Sequence, residues 1–287
     1  MNVIAVIINN KAKNHANASA YLEAFKDAEL SYKLYEISPL DLALTIQKCL
    51  SKHKIILVGG GDGTIRTAAQ YCANTPTVLG VLPLGTLNHF ANELGLPLNA
   101  QEMVEGIKKN HTVKIDIATV NGCVFVNNSS IGFYPQFAKK RDVYTRLYNK
   151  WLSYIPGFID SFKKHRTISF TIKSKNINLP LRTAFLMVSN NLYSYEFPVT
   201  LKRESFHKAQ LGLYFLKQGK IRLFKIIKHL FTSDKQFEIH QSKSPIEIHF
   251  TNKKEITISL DGDTQKVKTP LIFKTLPKAV TILTKPS

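Results

Sequence analysis

The first 118 residues alternate between short apolar runs and stretches whose apolar positions recur at helical spacing. Val3 to Ile8 is a β-branched run that stops at Asn9-Asn10-Lys11, and Tyr21, Leu22 and Phe25 then fall on one face of a helix. Tyr32 to Ile37 reads as a strand, Leu40 to Leu50 as an amphipathic helix, and Lys54 to Val58 as a strand buried on both faces. Ile65 to Ala73 reads as helix and Val78 to Leu82 as the next strand. Asn99, three residues before Glu102, has the form of a capping box that opens a helix through Ile107. This βαβα rhythm predicts a mostly parallel sheet covered by helices, a fold whose ligands sit at the carboxyl ends of the strands.

From about residue 119 the texture changes to short runs with period-two alternation. Thr167 to Lys173, Arg182 to Val188, Leu211 to Leu216, Ile246 to Phe250, Ile256 to Leu260 and Leu271 to Lys274 all read as strands. Few helical segments separate them, so an antiparallel β-sandwich is expected rather than a second parallel unit. The expected fold class is α/β in two domains: residues 1–118 as the α/β domain and 119–287 as the sandwich, with the last residues able to pack back on the first domain. Two basic amphipathic stretches interrupt the second part. Val143 to Ile155 sets Tyr144, Leu147, Tyr148 and Trp151 against Arg146 and Lys150, and Ile221 to Phe231 sets Leu223, Phe224 and Ile227 against Arg222, Lys225 and Lys228. Such faces suit the headgroup region of an anionic bilayer. They suit equally a helix whose apolar side packs on the protein and whose basic side is solvated.

Chemistry enters at Val58-Gly59-Gly60-Gly61-Asp62-Gly63-Thr64, directly behind the buried run Ile55-Ile56-Leu57. Glycines leave no Cβ to block a ligand, and the amides of a strand-to-helix turn form a phosphate site. Asp62 adds a carboxylate where Mg²⁺ or a nucleotide would need one. The bland alternative is a turn that only lets a helix pack closely on a sheet. No Gly-Lys-Ser/Thr follows, so this is not a Walker loop, and the spacing is not that of a dinucleotide fold. A second loop, Pro83 to His89, follows the next strand and falls at the same end of the sheet.

Bulk composition narrows the classes further. The 287 residues are 44% hydrophobic, as expected of a globular chain. Thirty-nine Lys and Arg against 20 Asp and Glu give a net charge of +19, which draws the protein to polyanions: nucleic acid, anionic membrane or phosphorylated ligands. No nucleic-acid-binding motif accompanies that charge, and nucleic acid is not an expected partner. Cys49, Cys72 and Cys123 are far apart and odd in number, the pattern of reduced thiols in a cytosolic protein. The apolar N-terminus has no basic leader and is too short to span a membrane. Pro76 and Pro83 interrupt the uncharged stretch from Thr67 to Asn92, which would make a poor span. A cytoplasmic protein at the membrane periphery is expected.

The pairing of Gly59-Gly-Gly-Asp-Gly-Thr64 with Leu82-Pro-Leu-Gly-Thr-Leu-Asn-His89-Phe-Ala resembles the diacylglycerol kinase catalytic family, which includes sphingosine, ceramide and bacterial lipid kinases. Ile115-Asp116, Val120-Asn121-Gly122, Phe125-Val-Asn-Asn-Ser-Ser-Ile-Gly132 and Leu260-Asp-Gly-Asp263 extend the resemblance in the same order, from Ile4 to about Phe273. It implies an ATP-dependent kinase with a nucleotide-binding α/β domain, a lipid-substrate β-sandwich and an active site between them. Carried over by position, Asn9, Gly59, Gly60, Gly61, Asp62, Gly63 and Thr64 would contact ATP, and Gly85, Thr86 and Asn88 would line the same cleft. Asp261 and Asp263 fall on the family's Leu-Asp-Gly-Glu run, where a carboxylate deprotonates the lipid hydroxyl, and Asp62 joins them as the third candidate catalytic carboxylate. Mg²⁺ would rest on the ATP phosphates, Asp62 and Asp116. The implied partners are a lipid substrate, diacylglycerol by default, and an anionic membrane surface; a homodimer is one open assembly state.

The chain departs from that pattern at four places. Asn10 stands where the family has Pro, His89 where many relatives have Asp, and Asp263 where they have Glu. Ala209-Gln210-Leu211-Gly212 takes the place of an acidic metal motif. Two alternatives stay open: a kinase of a soluble substrate, as NAD kinases share the Gly-Gly-Asp-Gly turn, and a non-catalytic relative that binds nucleotide or membrane. Asp261-Gly262, between two alternating runs, is also a hairpin-turn signal in its own right.

Overall fold

A computed structural model describes residues 3–86, 88–132, 167–175, 177–196, 200–203, 205–216 and 237–286. The stretches Val143 to Ile155 and Ile221 to Phe231 lie outside the described residues, as does Leu87. The chain divides into two compact units, Met1–Ile117 with Leu276–Ser287, and Ala118–Thr275.

The first unit is built in chain order from β1 (Ile4–Asn9), α1 (Ala18–Asp27), β2 (Tyr32–Ile37), α2 (Leu42–Leu50), β3 (Ile55–Gly60), α3 (Asp62–Cys72), β4 (Val78–Pro83), α4 (His89–Glu93), α5 (Ala100–Lys109) and β5 (Thr112–Val120), whose last three residues pass into the second unit. Its strands run parallel in the order β2-β1-β3-β4, with Ile8 opposite Gly59 and Gly60 opposite Pro83. Two buried faces explain the unbroken apolar runs. Ile4, Val6 and Ile8 pack with Tyr21 and Phe25 of α1 and Met103 and Ile107 of α5, while Ala5 and Ile7 between them are also buried. Helices α2 and α3 pack on each other and on β1 and β3. The capping box forms: Asn99 Oδ1 accepts the Glu102 N–H at 2.9 Å, and Glu102 Oε2 accepts the Leu98 N–H at 3.0 Å, one residue earlier than the usual reciprocal arm.

The second unit contains β6 (Cys123–Phe125), β7 (Asn128–Gly132), β8 (Ile168–Ser174), β9 (Ile177–Thr183), β10 (Phe185–Asn190), β11 (Tyr193–Glu196), β12 (Thr200–Arg203), β13 (Leu211–Leu216), β14 (Phe237–Ser242), β15 (Ile246–Phe250), β16 (Glu255–Leu260), β17 (Asp263–Lys268) and the start of β18 (Leu271–Leu283). One antiparallel sheet runs β14-β13-β10-β7-β16-β17. Facing it, β9, β8, β15 and the start of β18 form a second antiparallel layer. Ile131, Leu186, Val188, Leu213, Phe215, Ile258 and Leu260 from the first layer meet Phe170, Ile172, Ile246, Ile248, Leu271 and Phe273 from the second, which makes the unit a β-sandwich.

Two strand expectations need correction. The run Arg182 to Val188 is not one strand: β9 ends at Thr183 and β10 begins at Phe185, with the Thr183 hydroxyl bonded to both N–H and C=O of Phe185. The last strand does not end near Lys274. It runs on to Leu283, and Thr281 and Ile282 pair in parallel with β4 in the first unit's sheet.

All three cysteines are free, and Cys49 and Cys72 are buried. Burial pushes the Cys72 thiol up to about 12, so on the order of 10⁻⁴ of it is thiolate at pH 8. Burial also raises Cys49. Native protein treated with iodoacetamide at pH 8 is expected to be alkylated at Cys123 first and spared at Cys72, as read by peptide mass spectrometry. Early labelling of Cys72 would show that α3 opens from its sheet.

Candidate active site

The glycine turn sits where β3 passes into α3. Gly61 is the extended N-cap residue of α3 (φ −87°, ψ −179°), and Asp62, Gly63 and Thr64 make its first turn. N–H groups in a first helical turn have no intrahelical acceptor and attract anions. Side chains are kept out of this corner by contact. A Cβ on Gly60 would lie 2.5 Å from the Thr64 side chain, and one on Gly85 would lie 2.5 Å from Gly61 Cα and 2.7 Å from Asn88 Oδ1. The two loops therefore touch backbone to backbone.

A set of asparagines and one aspartate holds them there. Asn9, at the end of β1, donates its Nδ2 to the Thr64 hydroxyl at 3.0 Å, while its Oδ1 accepts the Lys11 N–H at 2.9 Å. Asn88, left-handed at φ 48°, accepts the Gly85 N–H at 2.9 Å and donates to the Pro83 carbonyl at 3.0 Å. Asn14 completes the frame, donating its Nδ2 to the Gly85 carbonyl at 2.6 Å and its N–H to the Leu84 carbonyl at 3.1 Å. Asp62 reaches across between loops: Oδ2 accepts the His89 N–H at 3.3 Å and Oδ1 the Phe90 N–H at 3.2 Å. His89 is exposed and serves the turn through its backbone N–H. Gly59 and Gly60 are buried, Gly61, Asp62 and Gly63 half-buried, and Thr86 exposed. The structure so gathers Asn9, the Gly59–Thr64 loop, Gly85 and Asn88 into one corner at the carboxyl ends of β1, β3 and β4, with Thr86 beside it.

This corner has what the phosphates of a nucleotide require: the N–H groups of the first turn of α3, and glycines at 60, 61 and 85 where a side chain would otherwise stand. A magnesium ion fits more narrowly. Mg²⁺ commonly takes one or two protein carboxylates plus substrate phosphates, and Asp62, with four acceptor positions and two N–H donors, has capacity left. Asp116 is fully buried in β5, and its Oδ1 accepts the Lys278 N–H of β18 at 2.8 Å. It ties β5 to the returning chain end within the first unit. Among the described residues no three His, Cys, Asp or Glu side chains group as a metal cage.

The second unit holds the other two carboxylates. Asp261 (φ 48°) and Gly262 (φ 96°) are the two central residues of the hairpin joining β16 to β17, both left-handed, as a type I′ turn requires. The turn signal was real, but the Asp261 side chain does more than turn. Its Oδ2 accepts the Val126 N–H at 2.9 Å, and its Oδ1 accepts those of Asn127 and Asn128 at 2.8 and 3.0 Å. Asp263, opposite Leu260 at the start of β17, is exposed. Asn14 and Arg203 escaped the sequence reading, and Asn127 entered it only as part of the Phe125–Gly132 run. The Asn-rich stretch from Asn9 to Asn17 was the only signal for the first, and Arg203 had none.

A model of the diacylglycerol kinase catalytic domain matches residues 3–120. A Staphylococcus haemolyticus protein named as a candidate lipid kinase is 27% identical over 256 residues, covering 84% of this chain and 79% of that protein. A protein of the same organism named diacylglycerol kinase is 34% identical over 99 residues, a match that covers 33% of this chain and 30% of that protein. A solved structure from Bacillus anthracis str. Sterne, described as a candidate diacylglycerol kinase, superposes with a TM-score of 0.78 at 24% identity over 99% of this chain and 98% of that one. That last likeness is one of fold, and it extends over both units. Residues 3–120 are thus a diacylglycerol kinase catalytic domain, and the relatives matched along the chain support a lipid kinase.

Proposed function

We propose that the protein transfers the γ-phosphate of ATP to the hydroxyl of a membrane lipid, with diacylglycerol the favoured substrate. The observation that carries this reading is the backbone-to-backbone approach of Gly61 and Gly85, which leaves no Cβ between the two loops beside the N–H groups of the first turn of α3. Gly61, Asp62 and Gly63 bind phosphate oxygens through their amides, and Asn9, Asn88 and Asn14 keep the two loops in register. Mg²⁺ carried with ATP would neutralise phosphate charge, and Asp62 is the carboxylate able to hold it; fully buried Asp116 would have to be uncovered first. In the transfer, the lipid hydroxyl oxygen bonds to the γ-phosphorus as the bond from phosphorus to the β–γ bridging oxygen breaks. ADP leaves, and the hydroxyl proton passes to a carboxylate. Asp263 is our choice of base, because it is exposed, whereas Asp261 is half-buried and holds the hairpin through three backbone N–H groups.

Relatives named lipid kinase and diacylglycerol kinase support the substrate class. The net charge of +19 supports a cytoplasmic protein held at an anionic membrane surface. Among the described residues no helix is long and apolar enough to cross a membrane.

The test incubates purified protein with γ-labelled ATP, Mg²⁺ and vesicles of mixed anionic phospholipid and diacylglycerol, then separates the lipids. One labelled phospholipid is expected, lost in Asp263→Asn, with protein sedimenting on the vesicles at low salt and released at high salt. Label appearing in NADP from added NAD, and in no lipid, would replace the lipid reading with a soluble-substrate kinase. ATP binding with no labelled product would leave a non-catalytic relative.

A further inference from the structure

The turn that Asp261 holds is gripped from its other side by a buried cation. Arg203, the last residue of β12, is almost wholly buried. It donates Nη1 to the Val126 carbonyl at 2.9 Å, and Nη2 to Asn127 Oδ1 at 2.9 Å and to the Tyr193 hydroxyl at 2.8 Å. Its guanidinium lies over two rings, 4.3 Å from the Phe206 centroid and 5.1 Å from that of Tyr193. Asn190 reinforces the same side, donating Nδ2 to the Val126 carbonyl and its N–H to the Asn127 carbonyl. Val126 to Asn128 thus presents three N–H groups to the Asp261 carboxylate, while the Val126 carbonyl and the Asn127 side-chain oxygen face the Arg203 guanidinium.

We infer that Arg203 is a positioning residue, joined to Asp261 through the peptide groups of Val126–Asn128, and that this clamp sets the Asp261–Gly262–Asp263 turn from which the base projects. The inference rests on the reading of Asp263 as base. The physical case has three parts. A carboxylate on three N–H groups and a guanidinium on the oxygens of the same segment are charge-assisted bonds, stronger than neutral ones. Each polarises peptide groups in the sense that favours the other. Finally, Asp261 N–H donates to the Asn128 carbonyl at 2.9 Å, so the segment and the hairpin move as one piece. A guanidinium held against two rings supplies a rigid plane, which a flexible lysine cannot match.

The experiment compares the full-length protein with Arg203→Met, Arg203→Lys and Asp261→Asn by amide hydrogen exchange and by turnover. Arg203→Met is expected to raise exchange in residues 124–132 and 258–265, as Asp261→Asn does. It should lower kcat about 10²-fold, as displaced catalytic groups do, with KM for ATP unchanged. Arg203→Lys should recover part of both effects, and it carries the same comparison should the Met variant fail to fold. The double variant Arg203→Met/Asp261→Asn should be no slower than its slower parent, because both changes break one device. Extra exchange confined to residues 193–206, or losses that multiply in the double variant, would overturn the inference. If the unaltered protein labels no lipid, the assignment of Asp263 falls on that result alone, and the exchange data still decide whether the clamp exists.

Discussion

Gly85→Ala is expected to lose nucleotide binding and to lower thermal stability together, whereas Gly61→Ala should weaken binding alone. The difference lies in what an added methyl meets. At Gly85 it would fall 2.5 Å from Gly61 Cα, a backbone atom that no rotamer change can move aside. Forcing the loops apart also strains the Asn88 bonds to Gly85 and Pro83 and the Asn14 bond to the Gly85 carbonyl. Overpacking of this kind costs about 1–3 kcal/mol, which spread into binding is roughly a 5- to 150-fold loss. At Gly61 the nearest atom to an added Cβ is Gly85 Cα at 3.5 Å, ordinary contact, and φ of −87° suits any residue. The Gly61→Ala protein should therefore melt with the unaltered one, while its methyl group stands where phosphate is proposed to approach. Calorimetric titration with a non-hydrolysable ATP analogue, paired with thermal melts, reads both variants. Unaltered affinity in Gly61→Ala would remove that residue from the phosphate surface and return the turn to a packing role.

Asp263→Asn and Asp261→Ala should separate chemistry from architecture. Asp263 is exposed at the start of β17, where a side-chain contact contributes at most about 1 kcal/mol, so Asp263→Asn should melt within a few degrees of the unaltered protein while kcat falls about 10²- to 10⁴-fold, the usual worth of a general base. Asp261→Ala instead releases the N–H groups of Val126, Asn127 and Asn128. Hydrogen bonds to charged groups are worth about 1.5–3 kcal/mol each, and water can replace part of that, so a loss of roughly 2–4 kcal/mol is expected. Activity falls too, but through a displaced turn. Initial rates and thermal melts on both variants decide the matter. Full turnover in Asp263→Asn, with a dead but normally melting Asp261→Ala, would exchange the two roles.

The resemblance to the lipid kinases rested on runs of residues close in sequence, and these carried the corner around α3 well. Val3 to Ile8, Lys54 to Val58 and Val78 to Leu82 were legible as parallel strands because burial on both faces demands unbroken apolar runs, a local signal. The Gly59–Thr64 turn and the Asn99–Glu102 cap were legible for a similar reason: backbone geometry at a turn or helix end selects residues within four positions of one another. The different settings of Asp261 and Asp263 were not legible. Both lie in one tetrapeptide, and what distinguishes them is three amides found 133 to 135 positions earlier.

Periodicity and glycine chemistry act over a few residues, so the class of fold, its parallel and antiparallel halves and the place of the glycine turn before α3 could be read from the chain alone. The return of Leu276–Ser287 to the first unit, which the sequence left open, the brace of Asn14 on Gly85 across 71 positions and the grip of Arg203 on Asn127 across 76 came with the tertiary structure. Such pairings are set by which strands lie side by side. A buried arginine carries no local pattern that announces its partner, because that partner is supplied by a distant strand once the sheet has formed.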